Sequence, residues 1–299
     1  MQAGGRGFES HRLHHMASIV LLLWCRDRPG IVAAVASWVT SIGGNIIDAQ
    51  QHTDAHDAMF FQRVEFEVPP DRVVDDVHRS FGALAQELQL SYRFGVRPYR
   101  PRAVVLVSKP LHCAMDLLSR AYLGNLSLDM QALISNHPDA RNLAEMFAVD
   151  FVHLPVDDSD DGRATQEDAL AQTLESLQPD LVILARYMLV LPPAIVRRWN
   201  HQMINIHHSF LPAFAGANPY RQAHDRGVKV VGATSHYVSE RLDEGPIISQ
   251  EVVPVSHRDD VESLARHGRD LETIVLARAV RAHIDHRVLV FGNRTIVFD

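Results

Sequence analysis

A change of rhythm near residue 102 constrains this chain more than any other feature. Beyond it, runs such as "AVVLVS" (103–108) and "PDLVILAR" (179–186) are apolar almost throughout, and each precedes a helix-length segment. A strand that is apolar on both sides must be buried on both faces. Such strands alternating with helices predict an α/β fold with a doubly wound, mostly parallel sheet. Strands are expected at 103–108, 128–135, 150–156, 179–186 and 203–209, with helices at 112–122, 140–148, 165–177 and 192–199. Thr165 with Asp168 three residues on resembles a capping box, so a helix is expected to open there. The remainder reads as more antiparallel. Segments 228–238 and 246–253 flank a turn, a long helix covers about 260–284, and a hairpin turns at Gly292-Asn293.

Before residue 102 the pattern is different. A β-rich run at 18–25 leads through "RDRPG" to a helix at 31–42, with Ile31, Val35, Trp38 and Val39 on one face. Strands at 45–53 and 58–68, a helix at 71–88 and a strand at 91–96 follow. The order β-α-β-β-α-β is that of a ferredoxin-like unit. "RPYRPR" (97–102) interrupts it with two prolines and three arginines. The expected organisation is an extension over 1–16, a small domain over 17–97, a linker over 98–102 and a larger domain over 103–299.

The net charge of −7, with both signs interspersed, argues against a nucleic-acid-binding surface. No apolar run reaches the length of a membrane-spanning helix. Cys25 and Cys113 each sit among apolar residues, which suggests buried reduced thiols and a cytoplasmic protein. The first fifteen residues lack the apolar core of a secretory signal, and Met16 is a candidate start. His11, His14 and His15 are read as part of an inert tail.

The densest chemistry lies in "MINIHHSFLPAF" (203–214). Alternation along a strand puts Asn205 and His207 on one face and turns His208 to the other. An amide and an imidazole side by side suit a carbonyl oxygen that becomes an oxyanion. A capping asparagine with a satisfied core histidine is an equal reading of the same residues. Downstream, "RLDEGPIIS" (241–249) holds Asp243 and Glu244, either a solvated acidic turn or a carboxylate that orients a histidine or a water. His236, in "ATSHYV", is a partner for that centre or a half-buried strand residue. No metal is expected, because adjacent strand histidines face opposite ways and no ligand spacing occurs. Ser209 lacks the G-x-S-x-G elbow of a serine hydrolase.

The combination of "NIHHSFLPAF…GA" and "GATSHYV…LDEGPI" resembles the formyltransferase-fold enzymes that use 10-formyltetrahydrofolate. "DRPGIVAAVASWV…GGNIIDAQQH" is similar to an ACT domain, and an ACT unit ahead of a formyltransferase domain resembles the formyltetrahydrofolate deformylases. The resemblance implies catalytic roles for Asn205, His207 and Asp243. It implies a folate pocket at Tyr187, Met188, Leu191 and Gly245, with 10-formyltetrahydrofolate as substrate and no cofactor. It also implies a regulatory amino acid, glycine or methionine, near Asp27, Pro29, Gly30, Gly44 and Asn45, in a homo-oligomer serving purine synthesis. Ribonucleotide transformylases of the same fold bind a phosphate at the first strand-to-helix turn through glycine-rich backbone. Here that turn, "VSKPLHC", has no glycine, and Pro110 has no N–H, although Lys109 is a possible anion contact. A basic C-terminal domain of the tRNA formyltransferase type is not expected either. Water is therefore the expected acceptor. The alternatives are transfer to an unidentified amine, or a folate or amino-acid sensor with weak catalysis.

Overall fold

In the computed structural model, which describes residues 18–69, 74–156, 160–212 and 219–299, the chain divides between Pro98 and Tyr99 into two units. In the first, β1 (Ser18–Arg26), α1 (Ile31–Ser41), β2 (Asn45–Asp54), β3 (Met59–Glu67), α2 (Val74–Glu87) and β4 (Ser91–Arg97) follow in order. The strands form an antiparallel sheet in the order β2-β3-β1-β4. This is a ferredoxin-like unit. Alternate β1 residues Ile19, Leu21 and Leu23 pack with Ile31, Val35 and Val39 of α1 and with Phe81 of α2. The Trp38 ring meets Phe66 and Phe81 edge-on at 5.5 and 4.7 Å. Gly30 precedes α1 at φ +94°, a conformation open to glycine at little cost. The extension expected over 1–16, with His11, His14 and His15, lies outside the described residues, as do 71–73 of the expected second helix.

The second unit is built on a seven-stranded sheet. Its strands are β5 (Arg102–Val107), β6 (Asp129–Ser135), β7 (Asp150–His153), β8 (Leu181–Leu184), β9 (Met203–His207), β10 (Val230–Tyr237) and β11 (Ile247–Pro254), in the order β11-β10-β9-β8-β5-β6-β7. Strands β5 to β9 run parallel, and β10 and β11 are antiparallel additions. The apolar runs of β5 and β8 are buried on both faces, as their composition requires. Each buried valine, leucine or isoleucine contributes roughly 1.5–3 kcal/mol. Helices α3 (His112–Tyr122), α4 (Arg141–Met146), α5 (Asp160–Leu177), α6 (Pro193–Arg198), α7 (Pro219–Asp225) and α8 (Val261–Ile284) complete the unit, with a hairpin of β12 (Val288–Phe291) and β13 (Arg294–Val297).

Three sequence expectations change. Helix α5 starts at Asp160, not Thr165, whose hydroxyl donates to the Asp161 carbonyl inside the helix (2.8 Å). Threonine forms this backward bond as readily as it caps, so the motif does not mark an end. The strand expected over 150–156 closes at His153. Arg102, placed in the linker, opens β5, where its N–H bonds the Asp180 carboxylate (2.9 Å).

Strand β5 is central, and the chain reverses its direction of winding between β5 and β8. In doubly wound sheets this leaves a crevice beyond the carboxyl ends of the strands. Strands β8 and β9 end on that side.

Candidate active site

Asn205 and His207 point from the last turn of β9 toward the crevice. The antiparallel register sets His236 of β10 opposite Asn205, and Thr234 opposite His207. Opposed residues share a sheet face, so the Asn205 Nδ2 comes within 3.2 Å of His236 Nε2. On its other side, His236 Nδ1 lies 2.9 Å from the Tyr237 carbonyl oxygen. A carbonyl only accepts, so Nδ1 carries the proton and Nε2 is left to receive the Asn205 N–H. The asparagine amide is thus held in orientation by a buried imidazole.

Asp243 arrives from the loop between β10 and β11. Its backbone is left-handed at φ +55°, a conformation that aspartate tolerates better than most residues. Its carboxylate lies 3.1 Å from His207 Nδ1 and 3.6 Å from His236 Nε2. Burial alone would raise the Asp243 carboxyl, but the hydrogen bond and charge of His207 outweigh it and hold the group well below the carboxylate range. The ionised carboxylate fixes the Nδ1 proton of His207, and Ser209 Oγ meets the other ring nitrogen at 2.9 Å. Glu244, the other acidic residue of the loop, is exposed and pairs with Arg241 at 3.5 Å.

These groups form one wall of a pocket of about 240 Å³. Tyr187, Met188, Leu191 and Val196 give it an apolar side. Tyr187 and Leu191 are buried, while Met188 is exposed at the mouth. The Tyr187 hydroxyl accepts from Gln166 (2.8 Å), and burial pushes the phenol up to about 12.

Two expected positions are corrected. Gly245 does not line the pocket. It packs against the Tyr237 backbone, where a Cβ would fall 1.7 Å from the carbonyl oxygen. His208 does not turn away. Strand β9 ends at His207, so alternation no longer applies, and the His208 ring stacks on that of His207 (4.9 Å) and lines the pocket. Burial, followed by the Arg186 charge, lowers His208 to about 4, so it is neutral at pH 7.

Behind His208 lies a second polar cluster that no sequence spacing announced. Glu272 of α8 is buried, and its carboxylate meets His112 Nε2 (2.7 Å), the Tyr220 hydroxyl (2.9 Å) and Arg186 Nε (3.5 Å). Burial opposes its ionisation, but the bond from His112 and the Arg186 charge outweigh it and lower the carboxyl. Gly268, one turn earlier, makes room for Tyr220, since a Cβ there would meet the hydroxyl at 1.9 Å. Glu272 stands among the apolar positions Leu271, Val275 and Leu276, and a charge inside an apolar stripe was the available signal. The donor atoms of His112, Cys113 and Glu272 lie within 4.8 Å of one another. Burial raises the Cys113 thiol far above its usual range, so it stays protonated in this cluster.

In the N-terminal unit the expected ligand residues fall in two places. Asp27, Pro29 and Gly30 lie at the start of α1, where the Asp27 N–H bonds the Ala58 carbonyl (2.9 Å). Gly44 and Asn45 lie past its other end, about 16 Å away by helix rise.

Residues 101–280 match the formyl transferase family. The chain is 47% identical over 279 residues to the formyltetrahydrofolate deformylase of Synechocystis sp., covering 93% of this chain and 97% of that one. The chain belongs to the formyltetrahydrofolate deformylase family. The crystal structure of a formyltetrahydrofolate deformylase from Pseudomonas syringae pv. tomato superimposes with a TM-score of 0.91 at 43% identity, covering 96% of each chain. A glycinamide ribonucleotide transformylase from Symbiobacterium toebii gives 0.63 at 34% identity, covering 68% of this chain and 97% of that one. The turn after β5 fits the deformylase side of this comparison. Ser108 Oγ donates to Asn136 Oδ1 (2.7 Å) and accepts the Met188 N–H (3.1 Å), Pro110 has no N–H, and Lys109 is exposed.

Proposed function

We propose that this member of the family hydrolyses 10-formyltetrahydrofolate to formate and tetrahydrofolate. The observation that carries the reading is the convergence of Asn205, His207 and Asp243 on one wall of a pocket whose facing side is Tyr187, Met188 and Leu191. The apolar side suits a pterin, and the polar wall suits the formyl group.

Water attacks the formyl carbon. The Asn205 N–H and a protonated His207 stabilise the developing oxyanion, in a site where fixed dipoles cost no reorganisation. Asp243 receives the proton of the attacking water. The C–N bond then breaks as the proton taken from the water passes to N10, and the second proton of the water leaves as the formic acid ionises, so that formate and tetrahydrofolate remain. His236 acts through Asn205 by holding its amide. No step uses a cofactor. The test is formate release from 10-formyltetrahydrofolate with no acceptor present. Turnover that depends on an added amine would make the protein a transferase, and tight folate binding without turnover would make it a sensor.

The product formate serves purine synthesis in this reading, and a cytoplasmic enzyme fits a folate substrate and two buried free thiols. The N-terminal unit is read as an ACT domain over 17–97 that binds an amino acid. Because Gly30 and Gly44 stand at opposite ends of α1, one small ligand touches both only if a second copy contributes one of them. The reading therefore includes a homo-oligomer. Titration with glycine and with methionine, alongside sedimentation, tests both parts.

A further inference from the structure

Arg186 occupies a position that its chemistry does not explain. It follows β8 at φ +64°, where a side chain costs strain and glycine would not. Arg186 lines the pocket beside His208. Nε and Nη1 are buried and have no hydrogen-bond partner among the described residues. The nearest carboxylate, Glu272, lies 3.5 Å from Nε and is already engaged by His112 and Tyr220. A buried N–H without a partner is costly, and a cation with two of them is a strong receptor for a small oxygen anion.

We propose that Arg186 forms a small-carboxylate subsite that holds the product formate after the C–N bond has broken. The inference rests on the hydrolase reading for the identity of its ligand. His207 and Asn205 release the oxygen once the tetrahedral intermediate collapses, and the adjacent Arg186, whose Nε and Nη1 make no hydrogen bond to a described residue, lines the same pocket. Glu272 keeps the guanidinium in place through a 3.5 Å ion pair, and Nε and Nη1 make no hydrogen bond to a described residue. His208 is neutral and stacked on His207, so it adds no competing charge to the pocket. Formate is small enough for such a pocket, whereas acetate adds a methyl group to be fitted beside the guanidinium.

The test is titration of the full-length protein, free of folate, with ¹³C-formate followed by NMR, with acetate as comparison. A ligand of three heavy atoms binds no tighter than about millimolar, so saturable binding in that range is expected. Acetate should bind more weakly. Arg186→Gly relieves the strained backbone and should weaken formate binding about tenfold or more. The Arg186 Nε–H resonance of ¹⁵N-arginine-labelled wild-type protein should shift on formate addition, which needs no variant. Equal formate affinity in Arg186→Gly, an unmoved Nε–H resonance, or no saturable binding by the wild type would each overturn the subsite. None of these outcomes bears on formate release from 10-formyltetrahydrofolate, which tests the hydrolase reading separately.

Discussion

His207 Nδ1 lies 3.1 Å from Asp243 Oδ2, and the hydrogen bond from His207 outweighs burial and keeps the carboxylate ionised. The pair joins the end of a parallel strand to a loop between two antiparallel strands. That relationship sets the protonation of the polar wall of the pocket.

Replacing either member should remove the chemistry and leave the fold. Asn tolerates the left-handed backbone that Asp243 adopts, so Asp243→Asn should keep near-native circular dichroism. Asp243→Asn and His207→Ala should each slow formate release by about 10²- to 10⁴-fold, the usual contribution of a positioned acid or base. Near-wild-type turnover in either variant would sink the mechanism.

Asn205→Ala removes one donor to the oxyanion. A loss of about 10²- to 10³-fold in kcat is expected, with KM little changed, because the donor acts chiefly in the transition state. A rise in KM at constant kcat would instead assign Asn205 to folate binding.

His208 makes stability depend on pH. Its pKa falls from an ordinary value near 6.5 to about 4 in the fold, first through burial and then through the Arg186 charge. Between those values the unfolded chain binds the proton and the native protein does not. Stability therefore falls as pH drops through 6.5 toward 4, by up to about 3 kcal/mol. Denaturant unfolding at pH 7 and pH 4.5 should show a smaller loss in His208→Asn than in wild type. Identical losses would remove His208 as the source.

Gly245→Ala should destabilise the loop that carries Asp243. The added Cβ would fall 1.7 Å from the Tyr237 carbonyl oxygen, so backbone must move, at a cost of roughly 2 kcal/mol or more. Melting temperature and formate release should fall together. An unchanged melting temperature would show that the contact relaxes freely.

Much of this was legible in the order of residues. The both-faces-apolar runs of β5 and β8 required a parallel sheet, and the β-α-β-β-α-β order of the first unit followed from two different periodicities. Asn205 and His207 were readable as a pair because strand geometry repeats every two residues. The same rule misplaced His208, since the strand ends one residue earlier and the rule ends with it. Thr165 misled for a related reason, because a side chain that caps a helix also bonds within one.

Local periodicity, turn chemistry and a specific motif determined the two-part architecture and the proposed catalytic trio, since each depends on neighbours along the chain. The partners of that trio depended on contacts between distant segments. His236 meets Asn205 only through the β9–β10 register, and Glu272 reaches His112 and Arg186 only because α8 packs across the sheet. Burial then set the charges. The same aspartate or histidine in a solvated loop would titrate near its ordinary value, and only the folded, water-poor pocket holds Asp243 ionised, His208 neutral and the Arg186 Nε and Nη1 without a hydrogen-bond partner among the described residues.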